Sequence, residues 1–225
     1  LARFGVPVHA MYGERNEYVH SRRLTQFHEL DHDPQLQLSQ LEALGRKLGR
    51  AFLVPSNDDY VALVSRNLDR LSRLFVIPLP DWNVIESILD RDKCYAKAAS
   101  IGIRVPGYWV PDSDAAMQQI VAALQPEVSD YIIKTPTILS APANEAAARL
   151  SKAAPKLRED ILASCAELKD RTGNYPMIQE VVPGQADSAI GVTMVVSPEG
   201  EVILAYCVRR LRLASYKIDA GYVHP

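Results

Sequence analysis

Basic residues stand at the ends of two short apolar segments of this chain. Lys134 closes the run Tyr131-Ile132-Ile133, and Arg209, Arg210 and Arg212 follow a second apolar run. A lysine at the end of a strand has a fixed backbone and a long stem, so its ammonium group can reach an anion such as a phosphate. Three arginines within four positions repel one another unless they face an anion or acids. The spacing therefore predicts anion binding, with a solvated basic surface as the alternative for each residue.

The overall composition is that of an ordinary globular protein. The 225 residues include 25 lysines and arginines against 27 aspartates and glutamates, for a net charge of −2. This near balance argues against a general nucleic-acid binder, which carries an excess of positive charge. Hydrophobic residues make up 48% and charged residues 23% of the chain, values that exclude a disordered or fibrous protein. The length fits one large domain or two small ones.

The spacing of the cysteines, histidines and apolar residues excludes further classes of protein. Cys94, Cys165 and Cys207 lie far apart, so neither a zinc site nor a disulfide framework is expected, and a reducing compartment such as the cytoplasm is favoured. The five histidines lack metal-ligand spacing, so they predict no metal site. Because no stretch approaches 18 apolar residues, no membrane partner is expected.

The first half of the sequence alternates strand and helix patterns. Strands are predicted at Val6–Met11, Ala51–Val54 and Phe75–Ile77, the second of them as a buried strand. Leucines from Leu36 to Leu48 recur at helical spacing, and a further helix follows the capping residues Ser56–Asp59. This alternation predicts an open parallel sheet covered on both faces.

The second half mixes helices with more separated strands. Helices are predicted at Asp81–Ser100 with a break near Asp90, at Ser113–Leu124, and at Glu145–Lys169 with a break at Pro155. Strands are predicted at Tyr131–Lys134 and Met177–Val182, followed by a hairpin of Gly191–Val196 and Glu201–Val208.

Four segments in a fixed order resemble one superfamily. They are Asp92-Lys93 ahead of GIRVPGYWVP, then YIIK, then MIQEVVPG, and then EGEVILAYCVRR. Each is weak alone, but in this order they resemble the ATP-grasp superfamily, and more closely its branch related to the carbamoyl-phosphate synthase large subunit and D-aspartate ligase. The upstream VPSNDDY and SRR also resemble the pre-ATP-grasp domain of that branch.

The resemblance implies a fold and its division along the chain. The fold class is α/β with an α+β lid, and the open parallel sheet forms a pre-ATP-grasp domain. The implied domains are residues 1–105 for the pre-ATP-grasp domain with its linking helix, 106–182 for the lid, and 183–225 for a partial C-terminal lobe. The chain opens with the end of a helix pattern at Leu1–Phe4, so we expect a strand and most of a helix upstream.

The resemblance also assigns roles to single residues. It puts Lys134 and Lys93 on the ATP phosphates, and an arginine at Arg209 or Arg212 opposite the transferred phosphate. Adenine needs a donor and an acceptor from a backbone edge, together with apolar cover. The residues implied for adenine and ribose are Gln179, Glu180, Val181, Val182 and Asp187.

The implied activity is that of an ATP-dependent carboxylate–amine ligase that forms ADP through an acyl phosphate. Its partners would be small-molecule carboxylate and amine substrates, and a homodimer stays open. Mg²⁺ would accompany ATP, and its ligands are expected beyond Pro225, because LASYKIDAGYVHP contains a single acid. The segment after Lys134 also contains no glycine where many relatives place a glycine-rich loop over the phosphates. The chain given is therefore expected to be incomplete for catalysis.

Two other functions remain open at this point. One is a nucleotide-binding or regulatory module that kept the nucleotide-binding cleft and lost the C-terminal segment that would hold Mg²⁺. The other is a doubly wound domain of unrelated function, which leaves the ordered series of Lys93, Lys134 and QEVVPG unexplained.

Overall fold

The computed structural model describes residues 1–13, 20–124, 131–137, 160–182 and 190–209. The chain divides into two compact units, Leu1–Leu89 and Asp90–Pro225. Three residues that the sequence analysis singled out, Asp187, Arg210 and Arg212, lie outside the described residues, as does the predicted helix from Glu145 to position 159. The domain boundaries expected at 105 and 182 stay predictions.

The first unit contains two pairs of parallel strands. Strand β1 (His9–Tyr12) pairs with β2 (Gln26–Glu29), and β3 (Ala51–Phe52) pairs with β4 (Phe75–Val76). The parallel direction agrees with the predicted sheet. The strand expected to start at Val6 begins three residues later, and β2 was not predicted.

The described residues of the first unit also form four α-helices: α1 (Pro34–Leu48), α2 (Asp58–Arg66), α3 (Leu68–Leu71) and α4 (Trp82–Leu89). Asp33 caps α1, since its carboxylate accepts from the backbone N–H groups of Gln35 and Leu36. The side chain of Asn57 caps α2 by accepting from Tyr60 N. The capping interpretation of Ser56–Asp59 is therefore confirmed at Asn57.

The core of the first unit joins helices to strands. The exposure of residues beside it shows that one prediction is wrong. Its buried members are Leu38, Leu41, Val64, Leu71 and Phe75. Ala51 and Leu53 pack against this cluster, whereas Phe52 and Val54 are 73% and 68% exposed. The prediction that Ala51–Val54 is a buried strand is wrong, because alternate side chains of an extended segment point to opposite faces and only one face is covered.

The second unit begins with α5 (Arg91–Ser100) and contains a three-stranded antiparallel sheet. The strand order is β5 (Tyr108–Trp109), β7 (Met177–Glu180), β6 (Tyr131–Lys134). Helix α6 (Asp114–Ala123) lies between β5 and β6 in the chain, and α7 (Ile161–Thr172) lies between β6 and β7. An antiparallel hairpin of β8 (Ile190–Val196) and β9 (Val202–Arg209) follows β7. The hairpin prediction is confirmed.

The break between α4 and α5 falls where the sequence predicts it. Helix α4 ends at Leu89, and the carboxylate of Asp90 accepts from Lys93 N to cap α5. Within the described residues, no helix combines the length and the apolar character needed to cross a membrane.

The core of the second unit covers one face of its sheet. The buried cluster joins residues of α6 and α7 to the strand residues Tyr131, Ile133 and Ile178. Because side chains alternate along a strand, Lys134 and Gln179 point to the opposite face. The packing of two helices thus decides which side of the sheet carries polar groups.

Candidate functional site

Lys134 and Gln179 meet on the face of the sheet away from α6 and α7. In the register of the two strands, Ile132 lies opposite Gln179 and Lys134 lies opposite Met177, so Lys134 and Gln179 are diagonal neighbours. Nζ of Lys134 donates to Oε1 of Gln179 over 2.9 Å, although the two residues are 45 positions apart in the chain. Gln179 is buried, with only 5% of its surface exposed.

The environment of Lys134 disfavours its positive charge. Burial lowers the pKa of the Lys134 ammonium, and the nearby Arg91 guanidinium lowers it further. A bound anion would act in the opposite direction and favour the protonated lysine. The site is therefore suited electrostatically to a negatively charged ligand.

Arg91 brings a second positive charge to the same end of the sheet. Its Nη1 atom donates to the Thr135 carbonyl oxygen over 2.6 Å and to the Thr135 hydroxyl over 3.3 Å. The backbone N–H of Arg91 donates to the Pro136 carbonyl over 3.0 Å. These bonds fasten the start of α5 to the residues that follow β6. Sequence reasoning missed Arg91, although its place directly before Asp92-Lys93 was a usable signal.

Two tyrosines complete the polar face. The Tyr95 hydroxyl lies 3.0 Å from Oε1 of Gln179, within hydrogen-bond distance. The Tyr95 ring meets that of Tyr108 edge to face, with centroids 5.1 Å apart. Burial is the main cause that raises the pKa of both phenols, and a hydrogen bond with Asp92 raises that of Tyr108 as well. Neither tyrosine was selected from the sequence, although Tyr108 lies within the segment GIRVPGYWVP; Tyr95 is on a helix and carries no motif signal.

Glu180 makes a close contact with Gly107 instead of pointing to water. The Glu180 N–H donates to the Gly107 carbonyl over 2.9 Å, and the Gly107 N–H donates to Glu180 Oε2 over 3.0 Å. The remaining lone pairs of this carboxylate can accept further hydrogen bonds. Val181 and Val182 follow directly after β7, and Val182 is 65% exposed.

The other predicted residues lie on different elements. Lys93 is exposed on α5, and Arg209 is exposed at the end of β9, opposite Ile190. Asp187 and Arg212 fall outside the described residues. Of the predicted residues, the structure joins Lys134 to Gln179 by a direct contact.

Within the part of the chain that the structure describes, no group of three or more histidine, cysteine, aspartate or glutamate residues could hold a metal ion. No described residue is therefore assigned to Mg²⁺.

Comparison with sequences and family models identifies no relative. No protein-family model matches this chain. No curated protein sequence matches it significantly. The informative similarities are therefore structural.

Three solved structures are similar over nearly the whole chain. N5-carboxyaminoimidazole synthetase from Staphylococcus aureus, solved with ADP, matches 94% of this chain with a TM-score of 0.60 and 12% identity. N5-carboxyaminoimidazole ribonucleotide synthetase from Thermus thermophilus matches 94% with a TM-score of 0.61 and 14% identity. L-amino acid ligase from Bacillus licheniformis matches 93% with a TM-score of 0.61 and 9% identity.

These similarities define the fold of the chain. It is a mixed α/β fold similar to that of these three proteins. The ATP-grasp superfamily, and the branch of it that the order of the sequence motifs resembles, stay predictions. The chain spans about half the length of the solved proteins it matches, which are covered to 50%, 50% and 45%.

Proposed function

We propose that this chain forms the nucleotide-binding part of an ATP-dependent, ADP-forming carboxylate–amine ligase. One observation carries the proposal. The segments YIIK and MIQEVV, which are far apart in the sequence, pair as neighbouring strands, and Nζ of Lys134 contacts Gln179 at 2.9 Å. The S. aureus protein of similar fold was solved with ADP, which supports a nucleotide as the anionic ligand.

Lys134 would contact the α- and β-phosphates. Water screens a half-buried ammonium less than a surface one, so its attraction to a phosphate is stronger. Lys93, exposed on the neighbouring helix, would supply a second cation. Arg91 adds positive potential at the same place, since it already lowers the pKa of Lys134.

The adenine would lie along the segment that follows β7. The backbone groups of Val181 and Val182 would offer the donor and acceptor that an adenine edge requires, and their side chains would cover its faces. Glu180 would accept from the exocyclic amine or lie beside it, while keeping its bond to Gly107. Gln179 would contribute from the strand, and Asp187 would accept from the ribose hydroxyls.

The reaction would have two steps. A substrate carboxylate oxygen attacks the γ-phosphorus of ATP, the bond to the β–γ bridging oxygen breaks, and ADP leaves with that oxygen. The amine nitrogen then attacks the acyl carbon, the carbon–oxygen bond to phosphate breaks, and the nitrogen loses a proton as the amide forms. Arg209 or Arg212 would stabilise the charge on the transferred phosphoryl group. Mg²⁺ would neutralise phosphate charge when bound.

The test is calorimetric titration of the chain with ADP and with ATP, with and without Mg²⁺. We expect saturable ADP binding that Lys134→Ala weakens about 10- to 100-fold, because one charge-assisted hydrogen bond is lost. Lys93→Ala should weaken it less. Lys47→Ala, a matched control at an exposed helical lysine of the first unit, should leave it unchanged.

Two results would overturn the proposal: no saturable binding of either nucleotide, or equal effects of the three lysine substitutions. The regulatory-module alternative makes a separate prediction. A longer form of the protein that binds ADP but hydrolyses no ATP with any carboxylate and amine pair would favour that module over the ligase.

A further inference from the structure

The ammonium group of Lys134 is held by a neutral partner. Its hydrogen-bond acceptor is the amide oxygen of Gln179, 2.9 Å away. A carboxylate at this position would form an ion pair, raise the pKa of the lysine and cancel part of its attraction for a phosphate. An amide oxygen fixes the position of the ammonium and leaves its charge available to a ligand.

The side-chain amide of Gln179 can accept from Lys134 in only one of its two orientations. Turning the side-chain amide of Gln179 by half a turn would exchange its oxygen for its NH₂ group, which is a donor and cannot accept from Lys134. The Glu180 carbonyl defines the observed orientation, because it can only accept and Nε2 of Gln179 donates to it over 3.3 Å. The Tyr95 hydroxyl donates to the same Oε1 atom over 3.0 Å and so fixes the position of that oxygen.

Tyr95 is itself held in place. Its ring packs edge to face on Tyr108 at an interplanar angle of 71°. Because the ring is half-buried on α5, its hydroxyl has a defined position relative to β7. A short series of contacts therefore runs from Tyr95 through Gln179 to the lysine.

We propose that Tyr95 is a positioning residue for Lys134, acting through the side-chain amide of Gln179. The inference rests on the proposed nucleotide-binding function. Without the hydroxyl, Oε1 of Gln179 loses the contact that fixes its position, and the ammonium that donates to this oxygen is no longer held in one position. Ligand binding must then order it, which costs affinity.

The first experiment measures ADP affinity by calorimetry for the wild-type chain and for Tyr95→Phe. We expect about 3- to 10-fold weaker binding, as for the loss of one neutral hydrogen bond. The matched control is Tyr175→Phe. It removes the same atom in the same unit, from a hydroxyl that Lys169 contacts at 2.9 Å, and should leave ADP affinity unchanged.

The second experiment tests whether the Tyr95 hydroxyl acts through Gln179. In Gln179→Leu the side chain can accept from neither Tyr95 nor Lys134, so Tyr95→Phe should cost no further affinity in that background. Gln179→Glu alone should weaken ADP binding and extend it to higher pH, because the carboxylate raises the pKa of Lys134. If Gln179→Leu unfolds, as judged by circular dichroism, Gln179→Met replaces it, because methionine also has no amide oxygen.

Three results would overturn the inference. Wild-type affinity in Tyr95→Phe would show that the hydroxyl has no effect. An equal loss from Tyr95→Phe in the wild-type and position-179 backgrounds would show that the hydroxyl acts by a route other than Gln179. No ADP binding by the wild-type chain would overturn the proposed function and this inference together, whereas the first two results leave the function intact.

Discussion

Gly107 and Glu180 hold each other through reciprocal hydrogen bonds of 2.9 and 3.0 Å. The contact leaves no room for a side chain at position 107, since an added Cβ would lie 2.6 Å from Cδ of Glu180. In Gly107→Ala the carboxylate must therefore swing away and lose its bond to the backbone. We expect a coupling energy of about 1 kcal/mol between the two positions, the net value of one hydrogen bond.

A double-mutant cycle monitored by urea unfolding measures this coupling. The four proteins are the wild type, Gly107→Ala, Glu180→Ala and the double variant. Alanine at 107 should cost stability when Glu180 is present and be neutral or stabilising when it is absent, because alanine restricts the unfolded chain more than glycine does. Additive effects would show that the two residues do not interact.

Gly45 makes a tighter contact inside the first unit. An added Cβ would lie 2.8 Å from two ring atoms of Phe75 and 2.9 Å from Cβ of Leu74, and these atoms are packed in or against the core. We expect Gly45→Ala to lower the free energy of unfolding by about 1–3 kcal/mol through overpacking. Chemical denaturation measures the change.

The control for Gly45→Ala is Ala43→Gly at an exposed position of the same helix. It should cost about 1 kcal/mol through helix propensity alone. A Gly45→Ala variant that is stabilised by the same amount would mean that α1 does not approach Phe75 this closely.

Lys134→Met should preserve or increase stability while weakening nucleotide binding. Because the pKa of Lys134 is lowered in the folded state, the unfolded chain binds more protons between that lowered pKa and the ordinary lysine value, and wild-type stability rises with pH there. Methionine removes the cost of the half-buried charge. The variant should therefore be at least as stable at neutral pH, and its advantage should shrink at alkaline pH.

The measurement is the free energy of unfolding of both proteins across neutral to alkaline pH, beside ADP titrations. Nucleotide affinity of Lys134→Met should fall by about tenfold or more, because the charge-assisted bond is gone. A variant that is less stable at every pH would contradict a desolvated lysine.

His9 and His28 form a stacked pair between β1 and β2, with Nδ1 of His9 2.9 Å from Nε2 of His28. Burial, then His9 and then Lys47 lower the pKa of His28. Below about pH 6.5 the unfolded state therefore binds more protons than the folded state. The free energy of unfolding should decrease as the pH is lowered through this window. His28→Gln should flatten that dependence in thermal unfolding, while His20→Gln, at an exposed histidine, should not.

The three cysteines should react in the order of their exposure. Cys207 is exposed, Cys94 is half-buried, and burial raises the pKa of the Cys165 thiol to about 12. Since the thiolate is the reactive form, iodoacetamide should label Cys207 first and Cys165 only after denaturation. Peptide mass mapping measures the order of labelling. Early labelling of Cys165 would contradict its burial on the face of α7 that packs against the sheet.

Local sequence determined most of the elements around the site. The strand ending in Lys134, the break at Asp90 and the hairpin were all predictable, because a short apolar run, a capping aspartate and a turn act within a few residues. The order of these segments also indicated a mixed α/β fold, which the structure has.

Tertiary structure alone decided which side chains meet. Lys134 and Tyr95 reach Gln179 from 45 and 84 residues away, and Arg91 reaches Thr135 from 44. The sequence could suggest Gln179 for the nucleotide but could not show that its amide faces the lysine. That outcome follows from the register of β6 against β7 and from the burial of the opposite sheet face under α6 and α7, and no local pattern encodes either of them.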